Sequence, residues 1–415
     1  MNGGSEPCGH SSCEWRRDES LAYDTSPWHR TLHIGPDATH AVAPTRSVVL
    51  LPWSGPLPDS VRTRLSHPAD KLGASQPCNS IPRSTGWSRS RGSGPVSQIT
   101  HEDINAFAED RVNLPKAQAD KHRAQVRGLR ERLERKIDDD PSFDLVKMLH
   151  SGSVAKGTAL RTVNDLDVAV YVRAGSAPAR DADLQPWLAD RLDEANPNMS
   201  SDQFVPQEHC VTVQFRGSGL DVDVVPVLYE GGENDCGYLV RKHTGLRVLT
   251  SIPLHLSFIR VRKARHGDDF AQLVRLIKWW RKTERNDHPD FRFKSFAIEL
   301  LWAHLADQGI PLGDYPTALE EFFAFVVKGG LATRIAFTDY HALSELPAPT
   351  GDAIEIFDPV NPTNNVAASY TVADRTRIEG AAHRALDALG EARYATTRGD
   401  AIECWQDVLG PSFRG

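Results

Sequence analysis

Apolar residues repeat with two different periods along the chain, and the change of period divides it into parts. Between residues 143 and 228 the apolar residues form short Val-rich runs or alternate with polar residues, as in β-strands. These runs predict strands over 143–149, 166–172, 211–215 and 220–228. The segment Arg-Gly-Ser-Gly at 216–219 predicts a tight turn that joins the last two strands as a hairpin.

Helical periodicity dominates the second half of the sequence. Phe270, Leu273, Val274, Ile277 and Trp280 lie on one face of an amphipathic helix. Further helices are predicted over 296–305, 319–327, 375–395 and 401–409. A strongly charged helix also precedes the strands. The pattern therefore predicts an α+β domain followed by a helical domain, with a cleft between them.

Residues 1–97 follow neither pattern. They are rich in Ser, Pro, Gly, Arg and His and contain too little apolar sequence to form a core. We expect a disordered or poorly ordered leader here. Order should begin near Ile99, where Thr100 and Asp103 have the spacing of a capping box. The predicted domains are this leader, a sheet-containing domain over 98–240 and a helical domain over 241–415.

Charge and cysteine content narrow the class of protein. The 415 residues carry a formal net charge of −7, which disfavours bulk binding of nucleic acid and favours local recognition of phosphate. The sequence has no run of about 18 apolar residues that would indicate a membrane span. Its six scattered cysteines suit a reducing compartment better than a disulfide framework. We therefore expect a cytoplasmic protein without a membrane partner.

One segment combines a glycine–serine turn with closely spaced carboxylates. A predicted strand ends at the turn formed by Gly152 and Ser153, and the next strand begins with Asp165 and Asp167. Alternation along a strand puts both carboxylates on one face. Two such charges repel each other unless a cation lies between them, and Mg²⁺ prefers carboxylate and phosphate oxygens. The alternative, solvated residues at a strand entrance, is disfavoured by the turn just upstream.

A second acidic strand supports this interpretation. Asp221 and Asp223 alternate along the strand over 220–228, so they also share a face. If this strand lies antiparallel beside the first, Asp165, Asp167 and Asp223 converge and can hold two metal ions. Asp221 is the less favoured ligand, and it is alternatively an exposed neighbour.

Together these motifs resemble the polymerase-beta-like nucleotidyltransferase superfamily, in particular the branch of oligoadenylate synthases and cyclic GMP-AMP synthase. The resemblance continues at 273–280, Leu-Val-Arg-Leu-Ile-Lys-Trp-Trp, at 294–301, Lys-Ser-Phe-Ala-Ile-Glu-Leu-Leu, and at the Asp-Pro segment over 358–366. The chain looks most like the bacterial cyclic-oligonucleotide synthases of anti-phage signalling. The implied fold is a small mixed-sheet nucleotidyltransferase core with a C-terminal helical domain and the active site in the cleft.

The resemblance also implies a reaction and its metal ligands. Asp165, Asp167 and Asp223 match the family's catalytic carboxylates, which hold two Mg²⁺ ions, with Mn²⁺ as an alternative. The implied reaction is attack of a ribose hydroxyl on the α-phosphate of a second nucleoside triphosphate, with release of pyrophosphate. One ion activates the hydroxyl and the other stabilises the leaving group.

Residues on both sides of the cleft match those that bind the triphosphate. Gly152 and Ser153 match the family's phosphate-binding turn, and Lys278 and Ser295 match residues of the helical domain that hold the triphosphate from the opposite wall. Lys156, in the loop after the turn, could alternatively approach a phosphate, but as a loop lysine it is expected to be solvated.

The leading hypothesis is synthesis of cyclic or short linear oligonucleotide second messengers in anti-phage defence. The expected partners are nucleoside triphosphates, with ATP favoured, and an effector from the same operon that responds to the product. A first alternative adds nucleotides to an RNA end or a protein acceptor. A second is a catalytically idle nucleotide-binding scaffold, which the presence of all three carboxylates disfavours.

Overall fold

The structure is a computed structural model that describes residues 99–139, 144–163 and 165–415. All of these residues belong to one compact unit. The predicted leader, residues 1–97, lies outside the described residues, so the expectation of disorder there stays a prediction.

Helices flank a sheet and build most of the second half of the described chain. They are α1 (His101–Phe107), α2 (Lys116–Asp139), α3 (Gly152–Lys156), α4 (Leu184–Glu194), α5 (Ile252–His266), α6 (Asp268–Asp287), α7 (Ser295–Asp307), α8 (Tyr315–Val327), α9 (Val372–Tyr394) and α10 (Arg398–Leu409). The predicted capping box of α1 is confirmed, because Thr100 and Asp103 exchange side-chain and backbone hydrogen bonds. No helix in the described ranges is both long and apolar enough to cross a membrane.

A mixed sheet occupies the first half of the described unit. Its strands are β1 (Leu145–Ser151), β2 (Asp165–Arg173), β3 (Phe204–Pro206), β4 (Val211–Phe215), β5 (Leu220–Tyr229), β6 (Gly237–Val240) and β7 (Arg247–Thr250). The order is β1-β2-β5-β4-β3, and β6 and β7 continue from β5. The predicted hairpin is confirmed, because β4 and β5 pair antiparallel with Phe215 opposite Leu220.

The relative direction of β2 and β5 differs from the prediction. These two strands pair in parallel, so the expected antiparallel arrangement is wrong. The physical reason is the chain between them, in which α4 and the short strands β3 and β4 return the backbone to the same end of the sheet before β5 begins.

The two largest apolar cores of the described residues support the sheet and the helices. In the first, Val168 of β2 and Val222 of β5 pack against α2 and α4. In the second, Trp280 of α6 is buried among α7, α8 and α9. The residues of α1 join this second core, and β7 extends the sheet beyond residue 240. The expected α+β fold, a small mixed sheet followed by a helical part, is confirmed.

Candidate active site

The parallel pairing of β2 and β5 brings four carboxylates to one face of the sheet. Asp165 lies beside Asp221, and Asp167 lies beside Asp223. Residues two apart in a strand point to the same face, and so do direct cross-strand neighbours. The register therefore places the three predicted metal ligands next to one another, with Asp221 as a fourth carboxylate.

Burial and mutual repulsion both act on this acidic cluster. Burial raises the pKa of Asp221, and the charge of Asp223 raises it further. Thr212 of β4 donates its hydroxyl to Oδ1 of Asp223 at 2.7 Å, which orients that carboxylate. These are the hard oxygen donors that Mg²⁺ prefers.

The carboxylates supply only part of a coordination shell. Among the described residues, no three Asp, Glu, His or Cys side chains surround a point closely enough to enclose a metal ion. Mg²⁺ sites at phosphate-transfer centres usually take one or two carboxylates together with water and substrate phosphates. The donor set therefore fits a metal that is completed by its nucleotide.

The turn after β1 lies directly against this cluster. Gly152 has a φ of 76°, a left-handed conformation that glycine adopts without steric cost. A Cβ atom at this position would lie 2.0 Å from Oδ2 of Asp167. Only glycine therefore allows the backbone of the turn to approach the carboxylate this closely.

A cavity of about 160 Å³ opens beside Asp165. Its sheet side is lined by Ser153, Thr158, Leu160, Thr162, Val163 and Asp165. Its other side is lined by four cationic residues of α6, here called the basic wall: Lys278, Arg281, Lys282 and Arg285. Their spacing of i, i+3, i+4 and i+7 puts them on one face of the helix. Of these four, only Lys278 was predicted, although the same helical spacing in the sequence also indicates the other three.

Below the cavity, a buried carboxylate connects α7 with both sides of it. Glu299 accepts hydrogen bonds from Lys156 at 2.6 Å, from Lys278 at 2.9 Å and from the Thr158 hydroxyl at 2.8 Å. Burial by itself raises the pKa of Glu299, but the charges of both lysines outweigh it and lower that pKa to about 2. The expectation that Lys156 is solvated is wrong, because α7 covers this lysine and supplies its partner.

Ser295 lies one layer behind the basic wall. It is the first residue of α7, with Lys294 as the N-cap. Its hydroxyl accepts a hydrogen bond from Nη1 of Arg281 at 2.6 Å. Arg281 lines the cavity and Ser295 does not, and a direct contact of Ser295 with a triphosphate stays a prediction.

Curated relatives identify the family. No family model matches the chain. A cyclic AMP-AMP-AMP synthase of Escherichia coli is 48% identical over 320 residues, which are 77% of this chain and 99% of the relative. A CBASS oligonucleotide cyclase, CdnC, of another E. coli strain is 30% identical over 322 residues, 76% of this chain and 98% of the relative. The chain belongs to the CBASS oligonucleotide cyclase family. It is therefore a nucleotidyltransferase, as the motifs predicted.

Solved structures agree with this family assignment. E. coli CdnC, solved with ATP, has a TM-score of 0.72 at 48% identity and covers 76% of this chain and 99% of its own. The Vibrio cholerae cyclic AMP-GMP synthase DncV, solved with a linear intermediate, has a TM-score of 0.56 at 11% identity over 76% of this chain and 97% of its own. The second likeness shows the shared fold alone. Nucleotidyltransferases of this kind generally use divalent metals.

Proposed function

We propose that this enzyme joins three ATP molecules into cyclic AMP-AMP-AMP. The observation that carries the proposal is the strand register that places Asp165, Asp167 and Asp223 side by side, with a basic wall across the adjoining cavity. The product is the one named for the 48% identical relative. The proposed cofactor is a pair of Mg²⁺ ions, with Mn²⁺ as an alternative.

The acidic cluster and the basic wall have complementary tasks in this reaction. Divalent ions held by Asp165, Asp167 and Asp223 would supply Lewis-acid stabilisation of the phosphate that is attacked. Gly152 lets the turn lie against the carboxylate of Asp167, since a Cβ at this position would lie 2.0 Å from its Oδ2. The cations of α6 neutralise phosphate oxygens, including those of the departing pyrophosphate.

Some of the proposed triphosphate-binding residues contact the triphosphate directly, and another acts through its neighbour. Ser153 and Lys278 line the cavity and contact the triphosphate directly in this proposal. Ser295 acts through Arg281, whose guanidinium it holds in place. Arg guanidinium groups match the paired oxygens of phosphates, so an oriented Arg281 would contribute more than a mobile one.

The proposed partners follow from the relatives. E. coli CdnC has been solved with a HORMA-deltaN protein, and we extend this partner class to the present chain as a regulator. An operon-encoded effector that responds to the product, and a cytoplasmic location, remain predictions. The alternative of nucleotide addition to an RNA end or a protein acceptor is disfavoured, because the basic wall lines a small cavity.

A product analysis with competing nucleotides tests the proposal. The protein is incubated with the four labelled ribonucleoside triphosphates and Mg²⁺ or Mn²⁺, with and without a HORMA-type regulator, and the products are treated with phosphatase. We expect a phosphatase-resistant product that contains only adenine nucleotides. A resistant product of another base composition would overturn the proposed product, and extension of an added RNA primer would favour the alternative.

A further inference from the structure

Glu299 holds an ionised carboxylate in the interior directly below the cavity. Its side chain is 1% exposed. Oε2 accepts from the Lys156 ammonium at 2.6 Å, and Oε1 accepts from Lys278 at 2.9 Å and from the Thr158 hydroxyl at 2.8 Å. A single carboxylate thus contacts both the segment that carries the glycine–serine turn and the helix that carries the basic wall.

We propose that Glu299 is a positioning residue that sets the distance between the acidic cluster and the basic wall. This inference deepens the proposed function and rests on it. Glu299 does not line the cavity, so its effect on the reaction passes through the groups that it holds.

On the sheet side, Glu299 anchors the C-terminal end of α3. Lys156 is the last residue of that helix, and Thr158 follows two residues later. The same short helix begins at Gly152, whose backbone lies against the carboxylate of Asp167. Because α3 has only five residues, a displacement of its C-terminal end would also move Gly152 and, through it, the Asp167 carboxylate, a proposed metal ligand.

On the helical side, Glu299 fixes the cation that begins the basic wall. The Lys278 side chain is 3% exposed, and its ammonium group also donates to the Thr158 hydroxyl at 3.2 Å. Lys278 and α3 therefore share two partners, Glu299 and Thr158, since the Thr158 backbone N–H donates to the Ser153 carbonyl at 2.9 Å. Since Lys278 lines the cavity beside Asp165, these shared contacts define where its charge is presented.

The charges around Glu299 make it possible to distinguish a role in positioning the phosphates from a role in attracting them. Two buried ammonium groups face one carboxylate, and removing one member of a buried ion pair leaves uncompensated charge. Loss of the negative charge of Glu299 would by itself strengthen the attraction of the cavity for an anion. Loss of the geometry would instead separate the bound phosphates from the carboxylates and slow the reaction. Turnover and anion affinity should therefore respond differently to a change at Glu299.

The variant Glu299→Gln tests this separation, because it removes the charge and keeps the shape. We expect kcat with ATP to fall by about 10- to 100-fold, since misplacement by about 1 Å near reacting groups has costs of that order. The Kd for inorganic tripolyphosphate, measured by calorimetry, should stay within about threefold of wild type or decrease. An unchanged kcat in the folded variant overturns the proposal. An increase in Kd that accounts for the whole loss of kcat/KM overturns it as well.

Glu284→Gln is the matched control. Glu284 lies on the same helix as Lys278 and pairs with Arg384 of α9 at 2.7 Å, but it does not line the cavity. Its loss should lower the melting temperature and leave kcat within about twofold of wild type, because only a partly exposed ion pair is removed. A loss of kcat as large as that of Glu299→Gln would mean that any weakened ion pair of α6 has the same effect, which would contradict the proposal.

A second variant keeps the test decisive if Glu299→Gln does not fold. The double variant Glu299→Gln/Lys156→Met has one buried cation fewer, so less charge is left uncompensated. Low kcat with unimpaired tripolyphosphate binding supports the proposal, and wild-type kcat overturns it. Wild-type turnover of ATP is measured in parallel. If the wild type uses another triphosphate instead, the proposed product is wrong, and the Glu299 comparison is made with that nucleotide.

Discussion

Replacing Gly152 by alanine tests how closely the turn and the acidic cluster must fit. The added Cβ would lie 2.0 Å from Oδ2, 2.8 Å from Cγ and 2.9 Å from Cβ of Asp167, whereas ordinary contact begins at 3.4 Å. The carboxylate or the turn must therefore shift by about 1.4 Å. The positive φ of 76° adds a backbone cost of about 1–2 kcal/mol for a residue with a Cβ.

The effect on turnover should exceed the effect on stability. A shift of this size near the reacting groups corresponds to a loss of about 100-fold in kcat. Gly157→Ala is the matched control, since Gly157 has a similar φ of 72° and its added Cβ would meet only the mobile end of Lys263, at 3.2 Å. Both variants should lose stability in thermal unfolding from the positive φ, and Gly152→Ala should lose more, because it also carries the clash with Asp167.

The two variants should differ in ATP turnover. We expect Gly157→Ala to keep most of its kcat and Gly152→Ala to lose most of it. Equal losses in the two variants would refute the argument, because the backbone penalty alone would then account for them. Full activity of Gly152→Ala would show that Asp167 need not occupy the position that the turn imposes.

Three further predictions concern the charged groups of the site. Asp165→Asn and Asp167→Asn should each abolish product formation and leave the melting temperature without metal nearly unchanged, since each relieves repulsion between carboxylates; a large loss of stability would contradict this. Asp223→Asn should reduce product formation more than Asp221→Asn, and the reverse order of activities would mean that the third ligand is Asp221. The pKa of Glu299, about 2 against an ordinary 4.5, implies that its ion pairs stabilise the fold above about pH 4.5 and lose that effect as the pH falls toward 2. The difference in melting temperature between wild type and Glu299→Gln should therefore narrow over that pH range, and a constant difference would contradict the assigned pKa.

The local elements were predictable because their information lies within short stretches of sequence. The hairpin of β4 and β5 follows from the turn at 216–219 and from alternation on either side of it. The amphipathic pattern that ends at Trp280 likewise predicts α6. The sequence also predicts that Asp165 and Asp167 share one face of their strand and that Asp221 and Asp223 share one face of theirs, because residues two apart in a strand point to the same side.

The features that were not predicted depend on contacts between distant parts of the chain. The parallel pairing of β2 and β5 depends on the path of the chain between them, which strand patterns do not specify. The burial of Lys156 depends on Glu299, 143 residues later, so a lysine in a glycine-containing segment was interpreted as solvated. The resemblance indicates Ser295 as a phosphate contact, and no local pattern shows that Arg281 donates a hydrogen bond to it.

In the proposed reaction, the carboxylates on β2 and the basic wall of α6 together join ATP molecules. The most direct test supplies ATP as the only nucleotide, with Mg²⁺ and a HORMA-type regulator, and measures pyrophosphate release and the mass of the phosphatase-resistant product. These are compared between wild type and the double variant Asp165→Asn/Asp167→Asn. We expect a cyclic trimer of AMP and one pyrophosphate per nucleotide joined in the wild type, and neither in the double variant. Product formation by the double variant at a rate near that of wild type would contradict the proposed reaction.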